Sequence, residues 1–104
     1  MAALAPRLAE GARALGGLPL VGDVRHIGLV AALELVRDKE TREPLPGTDR
    51  VFREIRREGL RRGLFLRPLG NVVYLFLPPA ITRDALDDIL DRFGGVLKSV
   101  LRRE

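Results

Sequence analysis

The sequence has no cysteine. Disulfides and thiolate metal sites are thereby excluded, and the chain suits a reducing, cytoplasmic compartment. Its one histidine, His26, leaves no material for a histidine metal cluster or a Ser-His-Asp triad. Lysine is nearly as scarce, with Lys39 in a charged stretch and Lys98 near a helix end. Neither setting offers the apolar surroundings that activate an amine. No apolar run reaches the roughly 18 residues of a membrane span. The opening lacks a signal-peptide block, because Glu10 and Arg13 interrupt it. A glycine-rich strand-to-helix phosphate loop is also missing. The residues alone therefore predict no catalytic, cofactor-anchoring or metal-binding group in this chain, and no membrane contact.

What is present is one domain, residues 1–104, with a modest core. The net charge is +4 and the isoelectric point about 10.6, nearly all of it arginine. Basic charge raises the possibility of a nucleic-acid partner. The arginines, however, alternate with acids, as in Arg53-Glu54 and Arg56-Arg57-Glu58. That pattern reads as a solvated, ion-paired helix face, and the basic aromatic strands of an RNA-binding sheet are lacking.

Taken in order, Leu4 to Leu15 spaces Leu4, Leu8, Ala12 and Leu15 along one helical face and stops at Gly16-Gly17. Pro6 requires a helix start near residues 3–5. The small, apolar opening reads as the continuation of a longer helix. Val21 to Val36 reads as extended, with Gly28 marking a bulge or a close backbone approach. Beyond Gly28 both faces of the strand are largely apolar, which predicts cover on both sides. Glu34 is expected as an edge or strand-end carboxylate bonded locally, and His26 as a surface strand residue. Arg37 to Thr48 reads as a charged surface loop. Asp49 to Arg62 is a predicted helix capped by Thr48, with stripe Val51, Phe52, Ile55 and Leu60 and with Gly63 beyond its end. Thr82 caps a last helix to about Leu101, in which Gly94-Gly95 is a candidate kink. Asp84, Asp87 and Asp88 suit the positive end of that helix.

Between these helices, Leu64–Leu66 and Val72–Leu77 read as two strands around a turn at Pro68-Leu69-Gly70-Asn71, closed by Pro78-Pro79. Arg67 falls where the first strand meets the turn. Its planar fork matches a carboxylate, although an ordinary exposed arginine is the plainer reading of the local pattern. The order α-β-β-α-β-β-α predicts an α+β fold: a small antiparallel or mixed sheet with helices packed on one face.

Three stretches, Val21–Val36, Asp38–Pro44 and Gly63–Leu75, together resemble the C-terminal small domain of class III, pyridoxal-phosphate-dependent aminotransferases. Within that class Arg67-Pro-Leu-Gly-Asn71 followed by Tyr74 is most similar to the amino-oxononanoate enzymes of biotin synthesis. The resemblance implies substrate-binding roles for Arg67, on the substrate carboxylate, and for Tyr74, at or near the same pocket. It implies pyridoxal phosphate in the complete enzyme, with the Schiff-base lysine and the phosphate site on a large domain absent here. It also implies a homodimer mate, an apolar face that invites self-association, and no activity in isolation. The position of Pro78-Pro79 and Ala80 in place of an aromatic depart from the pattern. The competing reading is a non-catalytic module that binds a small anion or nucleic acid.

Overall fold

Alternating apolar residues build an antiparallel sheet in the computed structural model, which describes residues 4–64, 66–78 and 80–101, without the Arg67 side chain. Phe65 and Pro79, which the sequence reading placed in a strand and after one, lie outside the described residues. The strands are β1 (Val21–Ile27), β2 (Val30–Asp38), β3 (Glu43–Pro44), β4 (Arg67–Leu69) and β5 (Val72–Phe76). The sheet order is β1-β2-β5-β4, with β3 pairing only to β2. Among the described residues three α-helices accompany the sheet, α1 (Ala5–Ala14), α2 (Arg50–Arg61) and α3 (Arg83–Leu101), with a short 3-10 turn at Leu15–Gly17. The predicted α+β order holds. One element is added, because residues 43–44 fold back onto the end of β2 within the expected loop.

The core lies on one face of the sheet. Ala31, Leu33 and Leu35 of β2 and Val73 and Leu75 of β5 point into it, where they meet Leu8 and Ala12 of α1, Phe52 and Ile55 of α2, and Phe93 and Leu97 of α3. The intervening residues Val30, Ala32 and Glu34 are only half-buried. The expectation of cover on both faces of β2 therefore fails for this chain: its apolar outer residues have no layer above them among the described residues.

Glycine chemistry in the first hairpin was assigned to the wrong residue. Gly28 (φ 54°) opens the two-residue turn that places Ile27 opposite Val30. A positive φ at the first turn position is what a primed hairpin turn requires. The bulge is at Gly22, between Val21 and Asp23. There a side chain would have its Cβ 2.5 Å from Val36 Cγ1.

The second hairpin is displaced toward the turn. The first strand is Arg67–Leu69 rather than Leu64–Leu66, and the turn narrows to Gly70-Asn71 between the partners Leu69 and Val72. Pro68 is tolerated because β4 is an edge strand, where its missing N–H costs no ladder bond. Leu64 and Leu66 instead bury against α2.

The helices are capped by their sequences. Asp49, not Thr48, is the N-cap of α2: its carboxylate accepts from Val51 N at 2.9 Å. Asp49 takes the role because its backbone is extended immediately before the first helical residue, whereas Thr48 stands one residue too early. At the other end Gly63 N donates to Leu60 O and Leu64 N to Gly59 O, a paired closure that relies on the positive φ of Gly63. The buried stripe is Val51, Phe52, Ile55 and Gly59, whereas Leu60 is exposed. Gly59 takes the core position because its bare Cα lets Leu66 pack closely. Thr82 Oγ1 accepts from Ala85 N at 3.2 Å, as expected of a cap. α3 runs unbroken through Gly94-Gly95, since both glycines are packed against other elements: Gly94 is buried near Leu15, and Gly95 lies beside the Arg62 guanidinium.

α1 and α3 are tied at the surface by a two-pronged ion pair between Arg7 and Asp87, at 2.5 and 2.9 Å. The hydrogen bonds from Arg7 hold the Asp87 carboxyl below the usual carboxylate range, and the same bonds raise the Arg7 guanidinium.

Two stability measurements check this packing. Chemical denaturation should show Gly22→Ala destabilised by about 1–3 kcal/mol through overpacking against Val36. Gly94→Ala should instead gain about 0.5–1 kcal/mol, because the new methyl meets Leu15 at ordinary contact distance and removes a helical glycine. The ion pair has a signed pH dependence. A carboxyl with a lowered folded-state pKa stabilises above its unfolded value, and that stability disappears as pH falls through the folded value. Thermal melts should show Asp87→Asn below the parent at neutral pH and level with it in strong acid.

Candidate functional site

Residues directly opposite one another in an antiparallel sheet share a face. Arg67 on β4 is opposite Tyr74 on β5, Tyr74 is opposite Ala32 on β2, and Ala32 is opposite Arg25 on β1. One row, Arg25–Ala32–Tyr74–Arg67, thus crosses the face that carries no helices. The sequence reading had Arg67 beside the turn. The register instead puts it at the open end of the hairpin, away from Gly70-Asn71.

Tyr74 is half-buried, and its ring stacks on Phe76 with centroids 5.6 Å apart and planes inclined by 24°. Its hydroxyl has no hydrogen-bond partner among the described residues, so it is available to a ligand. The hairpin that carries it is fixed to the centre of the sheet by Asn71. Asn71 Nδ2 donates to Leu35 O at 3.0 Å, and Asn71 O accepts from Leu35 N at 2.7 Å. Turn propensity explained an asparagine here. Its anchoring bond spans 36 positions in sequence and left no local signal.

At the far end of the row, Arg25 is held by two acids. Its Nε donates to Asp23 at 3.0 Å and its Nη2 to Glu34 at 3.2 Å. Glu34 is therefore a cross-strand partner on a central strand, not an edge carboxylate. Beside Arg25 a shallow hollow of about 280 Å³ is lined by Ile27, Val30, Ala32 and Tyr74. A larger hollow, about 850 Å³, lies on the other side of the hairpin tip, between His26 and Glu10 and Arg13 of α1. His26 is exposed, as expected.

Several other charged groups are engaged elsewhere. Asp87 pairs with Arg7, and Asp88 with Arg92 at 3.1 Å. Glu58 receives Arg61 and Arg62, and Glu54 receives Arg50. No cluster of three metal-ligating side chains occurs among the described residues.

The residues present do not fit pyridoxal phosphate. A cofactor aldehyde needs an activated amine, and both lysines are exposed. Lys39 Nζ donates to Gly16 O at 3.1 Å. No polar or charged side chain is buried among the described residues, so there is no sheltered donor set for a phosphate.

With this geometry in hand, comparison with known proteins is specific. No family model matches the chain. It is 45% identical over 93 residues to the adenosylmethionine-8-amino-7-oxononanoate aminotransferase of Geobacter sulfurreducens, covering 89% of this chain and 20% of that protein. A gamma-aminobutyrate transaminase 1 from Oryza sativa subsp. indica is 29% identical over 100 residues, covering 96% of this chain and 19% of the relative. Among solved structures, the PMP-bound form of an aminotransferase from Vibrio fluvialis superposes with TM-score 0.88 at 34% identity, covering 97% of this chain and 22% of that one. An omega-aminotransferase from Paracoccus denitrificans gives 0.89 at 31%, covering 98% and 23%. The chain spans about a fifth of the length of the curated relatives it matches.

Two substitutions test the construction of the hairpin. Asn71→Ala should lose about 1 kcal/mol in urea denaturation, the worth of one partly buried hydrogen bond. Tyr74→Phe should leave stability within about 0.5 kcal/mol, since its hydroxyl bonds nothing among the described residues.

Proposed function

We propose, for a chain homologous over most of its length to one part of the class III aminotransferases, that it is the small-domain portion of a biotin-pathway transaminase. Residues 1–104 form a single domain that supplies a substrate-binding surface. Arg67 holds the distal carboxylate of an amino-oxononanoate substrate through paired charge-assisted hydrogen bonds, which a guanidinium fork makes with both oxygens. Tyr74, its cross-strand partner, borders the same pocket and offers a hydroxyl that bonds nothing among the described residues. The observation that carries this reading is their register: two residues separated by a turn are brought opposite each other on the open face of the sheet.

Fixing the carboxyl end of a long substrate sets where its reacting end lies. Restricting that motion lowers the entropic part of the barrier without chemistry by the arginine itself. Pyridoxal phosphate supplies the amino-transfer chemistry in the complete enzyme and is held by a large domain outside this chain. The other partner is a homodimer mate, and the setting is cytoplasmic. Alone, the domain is inactive, because its two lysines and its surface offer no seat for the cofactor.

The test uses the Geobacter relative with its matching 93 residues exchanged for this chain. Arg67→Ala should lower kcat/KM for the oxononanoate substrate roughly 10- to 100-fold, the equivalent of about 1.5–3 kcal/mol for bonds to a charged group. Arg67→Lys should recover only part of that loss, because a point charge cannot make the fork. An unchanged kcat/KM in Arg67→Ala would contradict the role. Steeply salt-dependent nucleic-acid binding by the isolated chain, insensitive to Arg67→Ala, would favour the module reading instead.

A further inference from the structure

We infer that the outer face of α2, built around Leu60, is a docking surface for an acidic, amphipathic segment of another protein. This would be a binding function additional to the transaminase reading and does not draw on it: α2 packs on the helical side of the sheet, away from the face that carries Tyr74.

α2 holds five arginines and two glutamates, and so accounts for three of the four net positive charges of the chain. The alternation in its sequence predicts general ion pairing, but the pairing is uneven. Glu54 takes Arg50 at 3.7 Å, and Glu58 takes both Arg61 and Arg62 at 3.3 Å. Arg53, Arg56 and Arg57 are exposed and meet no carboxylate among the described residues. Leu60 lies three, four and seven positions beyond Arg57, Arg56 and Arg53, so the four share the outward face. It is 58% exposed, and no other large apolar side chain on a helix is exposed among the described residues.

Folding does not ask for this arrangement. Arg57 stands four residues from both Arg53 and Arg61, and like charges at that spacing destabilise a helix. Arg50 and Arg53 occupy the first turn, which holds no acid and where the helix dipole disfavours cations. The buried stripe of α2 is complete without Leu60. A face that works against its own helix answers to something outside it.

Charge complementarity and the leucine together select the occupant. Arg53 to Arg61 spans about 12 Å of helix axis. Carboxylates on successive turns of a partner helix match that span, with one apolar residue among them to cover Leu60. A phosphate backbone would leave Leu60 against hydrated charge, and no aromatic is exposed on α2 for a base to stack on. A membrane surface would need an apolar stripe, and Val51, Phe52 and Ile55 are buried in the core. A second copy is disfavoured, because acids on its α3 are already taken, Asp87 by Arg7 and Asp88 by Arg92.

The probe is a dye-labelled, alanine-based helical peptide with glutamates on successive turns around one leucine. It is titrated with the full chain by fluorescence anisotropy at about 0.05 M salt, where exposed charges are weakly screened. Arg53→Gln, Arg56→Gln and Arg57→Gln together should weaken binding about tenfold, the sum of three exposed ion pairs. Leu60→Ser alone should weaken it about fivefold through lost apolar contact. The set Arg37→Gln, Lys39→Gln and Arg42→Gln removes the same charge from the loop before α2 and should change the affinity less than about twofold. The triple α2 variant should also melt no lower than the parent, since it relieves like-charge repulsion. Equal weakening by the two triple sets would reduce the effect to net charge and overturn the assignment. So would a Leu60→Ser variant that binds normally, or a triple α2 variant that melts lower. Tighter binding of a DNA duplex of about 20 base pairs than of the peptide at the same salt would give the face to phosphate instead.

Discussion

Among the described residues the sheet is covered on only one side, and that constraint governs the rest of the structure. Side chains along a strand alternate between faces, so burying Ala31, Leu33, Leu35, Val73 and Leu75 beneath the helices commits every neighbouring residue to the other face. That second set includes Val30, Ala32, Tyr74 and Phe76. It cannot be exchanged for the first without a one-residue slip that would expose the entire core. Tyr74 and the apolar surface therefore stand on one face for the same reason that the domain folds. The pinned turn at Asn71 and the bulge at Gly22 serve this arrangement by fixing register on both sides of β2.

Much of this could be read from the sequence. Helical spacing located α1, α2 and α3, because each buries a stripe at the period of its own backbone. Thr82 and Gly63 marked helix ends through local chemistry that depends on few neighbours. What failed was tertiary in origin. Nothing near Gly22 or Gly28 says which of them meets Val36, so the bulge was read at Gly28, the turn glycine, and Gly22 went unmarked. Leu60 suited a stripe by polarity, but the approach of Leu66 gives its place to Gly59. The strand at Arg67–Leu69 was hidden by Pro68, whose turn propensity is overridden at a sheet edge. Apolar residues on both faces of β2 were read as evidence of two covering layers. Among the described residues only one of those faces is covered.

The candidate site was legible differently. Arg67 and Tyr74 were singled out by resemblance, since an arginine near a turn has no distinctive local signal. Their juxtaposition across the β4–β5 ladder could not be read from spacing alone, because it depends on where the turn begins. In the proposed reading the domain contributes binding and orientation, and both of its lysines are exposed.

The central claim is that the Arg67 guanidinium recognises a carboxylate at the far end of the substrate. The most direct measurement compares two substrates in the Geobacter exchange protein, one with the free distal carboxylate and one with that group as a methyl ester. The account predicts that Arg67→Ala depresses kcat/KM for the acid and leaves the ester nearly unchanged. An equal loss for both substrates would contradict it, because the arginine would then be supporting the structure rather than binding the charge.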